Sequence, residues 1–185
     1  MKQAIKRITP VPTWNFARGA YDAMRRLPEV GPAALHPWRR ESIHRLAAMR
    51  DIHCGERCFI LGNGPSLRQT DLTRLRGEFT FGLNRIYLLF AEMGFPTTFF
   101  VSTNDLVIEQ CRDEIMALSM PKFITWRSRR FFTGEQLHPG ELPVFLYTTY
   151  TGPRFAPNAG GRLWEGATVT YVALQLAFHM GFSTV

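Results

Sequence analysis

The apolar positions follow two rhythms, and the change between them near Glu56 divides the chain. Beyond that point, Cys58-Phe59-Ile60-Leu61 is a continuous apolar run closed by glycine, which reads as a strand buried on both faces. Phe79-Thr80-Phe81-Gly82-Leu83 alternates and predicts a second strand. Thr98-Phe99-Phe100-Val101-Ser102 predicts a third, and Phe123-Ile124-Thr125-Trp126 and Val144-Phe145-Leu146-Tyr147 predict two more. Helices are expected between them, over residues 85–93, stopped by Gly94 and Pro96, and over 105–118. Val169, Val172, Ala173, Leu176 and Met180 recur at helical spacing and predict a last helix over 167–180, with Gly181 as its C-cap. Strands alternating with helices imply an α/β architecture with a mostly parallel sheet.

Before Glu56 the texture is different. Pro10, Pro12, Pro28, Pro32 and Pro37 punctuate the first 37 residues. They are expected to break this part into short pieces, leaving one helical stretch from about Trp14 to Leu27. Residues 38–50 read as a helix leading into the core. The expected organisation is therefore a helical arm over residues 1–50 and an α/β domain over 51–185. The chain stops at Phe182-Ser183-Thr184-Val185, just after a helix stop and on what reads as the opening of another strand. That pattern is expected of a C-terminally truncated domain.

Composition supports a folded core. Of 185 residues, 45% are hydrophobic and 20% charged, outside the range of disordered chains. No apolar run reaches the roughly 20 residues needed to span a bilayer, and the N-terminus lacks the apolar stretch of a secretory signal. Cys54, Cys58 and Cys111 are an odd set, at odds with a disulfide framework. The expected location is cytoplasmic.

Charge changes the picture of the arm. Residues 1–50 hold ten Lys/Arg and three acids, the whole of the net +7, while the remainder carries twelve of each sign. The arm reads first as a solvated helical face packed on the core through Trp14, Phe16, Tyr21 and Trp38. A peripheral contact with an anionic membrane surface, at the inner face, or with an acidic partner stays open. The rest of the chain lacks a basic stripe, which argues against nucleic acid.

The chemistry is expected at the carboxyl ends of the strands, where open α/β sheets bind ligands. Gly62-Asn63-Gly64-Pro65-Ser66 follows the first strand. Its glycines would permit a sharp turn and close approach of a ligand, and Pro65 would open a helix whose unpaired N–H groups favour an anion. The spacing is neither that of the P-loop nor of the full dinucleotide fingerprint, and a plain strand-to-helix turn is the alternative. Asn84 ends the second strand, and its amide is suited to a base or ribose. Asn104 and Asp105 end the third; Asp105 could hold a ribose, a metal or an acceptor, or cap the next helix. Thr168 and Thr170 open the last helix, for a phosphate or for simple capping. His53, Cys54 and Cys58 form too sparse a set for a metal site. His138 and His179 read as structural. Arg127, Arg129 and Arg130 read as a solvated loop, with a local anion site as the alternative.

The stretches CFILGNGPSLRQTDLTRL, FTFGLNRIYLLF, PTTFFVSTND and GATVTYVALQLAFHMGF, in that order, resemble a family of bacterial and archaeal proteins. It includes the motility accessory factors and the MptE-like 6-hydroxymethylpterin diphosphokinases, and is similar to bacterial CMP-sialic-acid sialyltransferases. The resemblance covers residues 51–185 and implies a Rossmann-like transferase domain. It assigns Gly62, Asn63, Gly64, Ser66 and Asn84 to nucleotide contact, with Pro65 in the same loop, and places Thr168 or Thr170 near a phosphate- or sugar-contacting position. It implies a CMP-activated nonulosonic-acid-type sugar as donor substrate, with no tightly bound cofactor. ATP with Mg2+ and a pterin alcohol is the alternative, and a non-catalytic nucleotide-binding fragment is the third. The family's base and leaving-phosphate tyrosines lie in a segment with no counterpart here, so the resemblance leaves the catalytic residues unassigned.

Overall fold

A computed structural model describes residues 11–132, 141–150 and 154–185; His138 lies outside them. Two helices come first, α1 (Val11–Leu35) and α2 (Pro37–Ala48). Six strands follow: β1 (Cys58–Leu61), β2 (Phe79–Leu83), β3 (Phe99–Ser102), β4 (Lys122–Thr125), β5 (Val144–Thr149) and β6 (Arg162–Trp164). They form one sheet in the order β1-β2-β3-β4-β5-β6, and every neighbouring pair is parallel. Between strands lie α3 (Phe90–Met93), α4 (Asp105–Gln110), α5 (Arg112–Ala117) and several 3-10 turns, and α6 (Val169–His179) follows β6. This is an α/β Rossmann-like fold.

Period-two alternation sorts the strand residues between two cores. Phe81, Leu83, Phe99, Val101, Phe123, Val144 and Leu146 face α6 and meet Val172, Ala173, Leu176 and Ala177. Phe100, Ile124 and Phe145 point the other way, toward Ile108, Ile115, Trp126 and Phe132. The connections between consecutive strands thus cover one face and α6 covers the other. After α6, Thr184 pairs in parallel with Arg57 just before β1, so the chain crosses the whole sheet to reach its first strand. The expected strand opening is present as that single bridge.

α2 belongs to the core. Its Ser42 hydroxyl accepts from the Phe145 amide at 2.9 Å and donates to Trp38 O at 2.7 Å, while Trp38 stacks on Phe145. The helix thereby occupies the part of the β5 edge that the short β6 leaves uncovered. Buried Arg39 donates to Gly160 O and Gly161 O at 2.7 and 3.1 Å. Its desolvation, with no carboxylate partner, pushes its pKa down to about 10.

Two expectations about the elements need correction, and one strand was not expected. Pro28 and Pro32 do not end α1, which runs through them as one helix of 25 residues. Its last turns are fixed from outside, by burial of Ala33 and by Arg129, whose Nη1 stands 2.6 Å from Glu29 Oε2. That ion pair lies outside hydrogen-bond angles. The helix expected over 105–118 breaks at Cys111, whose φ of −118° is not helical. β6 carries too little pattern in three residues to be legible in the sequence.

Candidate functional site

At the carboxyl edge of the sheet two cavities of about 440 Å³ each adjoin. They share Asp105, Arg127, Tyr150 and Glu165, and together form one polar crevice. One part is lined by Asn84, Thr103, Asn104, Thr168 and neighbours. The other is walled by Trp126, Tyr147 and Thr148, with Glu29 contributed by α1.

Four of the residues expected from sequence meet here. Asn84 takes φ +51°, a left-handed conformation that asparagine tolerates better than most residues. Its Oδ1 accepts from the Ser102 hydroxyl at 3.0 Å, which orients the amide. Asn104, rather than Asp105, caps α4, its Oδ1 accepting from Leu106 N at 3.0 Å. Thr168 caps α6, accepting from Thr170 N at 3.2 Å. Gly166 and Ala167, at φ +52° and +67°, turn the chain out of β6 so that this helix start reaches the crevice.

The glycine loop stands one strand further along the same edge. Leu61 pairs with Gly82, so Gly62 and Asn63 run level with Leu83 and Asn84. Gly62, Asn63, Gly64, Pro65, Ser66 and Thr170 line neither cavity. Pro65 opens a five-residue 3-10 helix, not an α-helix, so the dipole expected there is largely missing. Nor does the chain itself demand these glycines: Gly64 has φ −70°. A Cβ on Gly62 would touch nothing, and one on Gly64 only Ser66 Oγ at 3.7 Å.

The centre of the crevice is Arg127. Its Nη1 donates to Glu165 Oε1 at 2.5 Å, its Nε to Asp105 Oδ1 at 3.2 Å and its Nη2 to Thr103 O at 2.6 Å. Burial alone would lower its pKa, but the hydrogen bond and charge of Glu165, then Asp105, outweigh that and raise it. Glu165, 5% exposed, also accepts from the Thr148 hydroxyl at 2.6 Å. Asp105 further accepts from Ser128 Oγ at 2.5 Å and Arg130 Nη2 at 3.3 Å. The solvated loop expected over Arg127–Arg130 is instead a 3-10 helix over Trp126–Phe132 that threads its first arginine between two carboxylates. Arg129 covers the Trp126 ring at 4.3 Å. The buried indole N–H of Trp126 has no partner among the described residues.

Glu165 escaped sequence reasoning because β6 did, and because a lone Glu before a glycine carries no pattern; Thr148 lies in β5 just past the apolar run that announced that strand. The other sequence candidates lie away from the crevice. His53 stacks on Phe182, lies tilted against Phe79 and meets Glu56 at 2.6 Å. Cys58 is buried in β1, which pushes its thiol up to about 11. His179 is buried with Nε2 2.8 Å from Leu46 O, a structural role as expected. Comparison with protein-family models finds no match to the chain, and neither do comparisons with curated proteins and with solved structures.

Proposed function

We propose that the crevice binds a nucleotide and that the chain is a transferase domain of the glycosyltransferase-like kind, taking a CMP-activated nonulosonic-acid-type sugar. One observation carries this reading. Asn84, Asn104, Asp105 and Thr168 come from three separate stretches of sequence and converge on one crevice at the carboxyl edge of a parallel sheet, the place where such folds take their ligands. The oriented Asn84 amide suits a base or ribose. The Thr168 hydroxyl and the guanidinium of Arg130, which is 61% exposed, suit phosphate oxygens. Tyr147 and Tyr150 offer ring surface to a sugar.

In such a transfer the departing CMP is stabilised by these donors. The two carboxylates, buried Glu165 and half-buried Asp105, act by holding Arg127: each already accepts two or more hydrogen bonds, which leaves neither suited to serve as general base.

The donor set speaks for this over a Mg2+-dependent diphosphokinase. Both oxygens of Asp105 are taken by Arg127, Ser128 and Arg130. Among the described residues no group of three His, Cys, Asp or Glu converges. Mg2+ would rest on one or two carboxylates beside substrate phosphates, and the two in the crevice, Asp105 and Glu165, are already occupied by Arg127 and its neighbours.

Calorimetric titration tests the reading. CMP should bind in the presence of a chelator, and Asn84→Gly, which keeps the backbone angle while removing the amide, should weaken it about tenfold. Release of CMP from a CMP-sugar by the wild type then reports turnover; binding without release favours the non-catalytic reading. Binding of ATP only with Mg2+, or CMP affinity indifferent to Asn84→Gly and Thr168→Ala alike, would overturn the proposal.

A further inference from the structure

A continuous exposed apolar stripe runs along α1 and plays no part in the crevice. Phe16, Ala20, Ala23, Leu27, Val30 and Ala34 recur at alternating spacings of four and three, which places them on one face of the helix. All six are exposed. Phe16 is 79% and Leu27 68% exposed, and Met24 and Leu35 beside them are 64% and 78% exposed. At 25 residues the helix is about 37 Å long. The side turned to the core is a different one, marked by buried Ala33 and by Glu29 against Arg129. An exposed apolar stripe of this size is costly in water unless something covers it.

We infer that α1 docks on an anionic lipid surface, with this stripe lying in the interface between headgroups and acyl chains. Charge identifies the occupant. Residues 1–26 hold Lys2, Lys6, Arg7, Arg18, Arg25 and Arg26 against Asp22 alone, a net +5 at the start of the chain and of α1, and a basic segment with an apolar helical face is attracted to an anionic bilayer by its charge and retained by that face. A second copy of the chain would bring two arms of like charge together. The stripe is convex and runs along the helix, a shape that suits a flat, deformable surface. No described helix is long and apolar enough to cross a membrane, so α1 lies on the bilayer without spanning it. The expectation that aromatics of the arm pack on the core holds for Trp38, while Phe16 and Tyr21 point into solvent.

Flotation of the full chain with vesicles tests this. The protein should float with phosphatidylglycerol–phosphatidylcholine vesicles and much less with pure phosphatidylcholine. The double substitution Phe16→Ser/Leu27→Ser removes two exposed side chains, so the fold should persist by circular dichroism. Partitioning should fall about a hundredfold, roughly tenfold for each large apolar group withdrawn from lipid. Failure to bind anionic vesicles overturns the inference, as does binding that ignores the double substitution. So does a wild-type dimer in sedimentation velocity that the double substitution converts to monomer, since a second copy would then be the occupant. CMP affinity should be the same in the variant, so this inference and the nucleotide reading stand or fall separately.

Discussion

Replacing Arg127 by methionine removes the cation around which the crevice is built. Two carboxylates then face each other with reduced compensation. Asp105 keeps Ser128 and Arg130, but Glu165, 5% exposed, keeps the Thr148 hydroxyl alone among the hydrogen bonds described above. Breaking a buried ion pair from one side costs about 3–5 kcal/mol. The Arg127 side chain is 32% exposed, which puts the expected loss near the lower end, about 3 kcal/mol. For a chain of this length that lowers Tm by roughly 6–12 °C. Glu165→Gln should cost less, about 1.5–3 kcal/mol, because Asp105 still holds the guanidinium. Removing both partners, as Arg127→Met with Glu165→Leu, leaves neither buried charge uncompensated. The double variant should therefore recover about 2 kcal/mol relative to the sum of its single variants. Urea unfolding of the wild type, Arg127→Met, Glu165→Leu and the double variant measures the cycle, with Glu165→Gln beside it. If Arg127→Met costs under about 1 kcal/mol, or the single costs add to within about 0.5 kcal/mol, the network does not hold the crevice together and the reasoning fails.

Three further outcomes follow from the packing. Gln175, fully buried, accepts from Ala156 N and Trp164 N and donates to Trp164 O and Tyr171 O; Gln175→Leu strands several of these groups and should cost about 3–5 kcal/mol in urea unfolding. Gly82→Ala would put a methyl 2.4 Å from Ile86 Cγ2 and 2.6 Å from Thr97 Oγ1; an expected loss of about 1–3 kcal/mol should appear as a lower thermal midpoint. His36 caps α2 through Nδ1, which accepts from Trp38 N. Burial, then the charge of Arg129, lowers its pKa below the usual 6.5. The unfolded chain therefore takes up the proton first, so His36's contribution is complete above about pH 6.5 and is lost as pH falls through the folded pKa. His36→Asn keeps a capping acceptor and should flatten that acid limb when urea midpoints are compared between about pH 7.5 and 5.

Local pattern was enough for much of the molecule. The runs at Cys58–Leu61 and Phe79–Leu83 became strands over those residues, because an apolar segment bounded by glycine or polar turns leaves the backbone little choice. Glycines at the ends of helices did as expected: Gly94 and Gly181 take φ +73° and +89°, where side chains other than glycine's are strained. The polar residues after each strand marked the edge of the sheet at which a crevice would open, since in a parallel sheet all strand ends point one way. Tertiary structure decided the rest. Proline at 28 and 32 forbids two backbone hydrogen bonds, yet burial of Ala33 and the Glu29–Arg129 pair hold α1 together across them. The glycine loop, prominent in sequence, ends in a 3-10 turn outside both cavities, whereas Arg127, which looked like one of three solvated arginines, sits between Glu165 and Asp105. That position depends on residues 22 and 38 places away in the chain, and no local spacing encodes which distant carboxylates the crossovers of a parallel sheet will bring to a given cation.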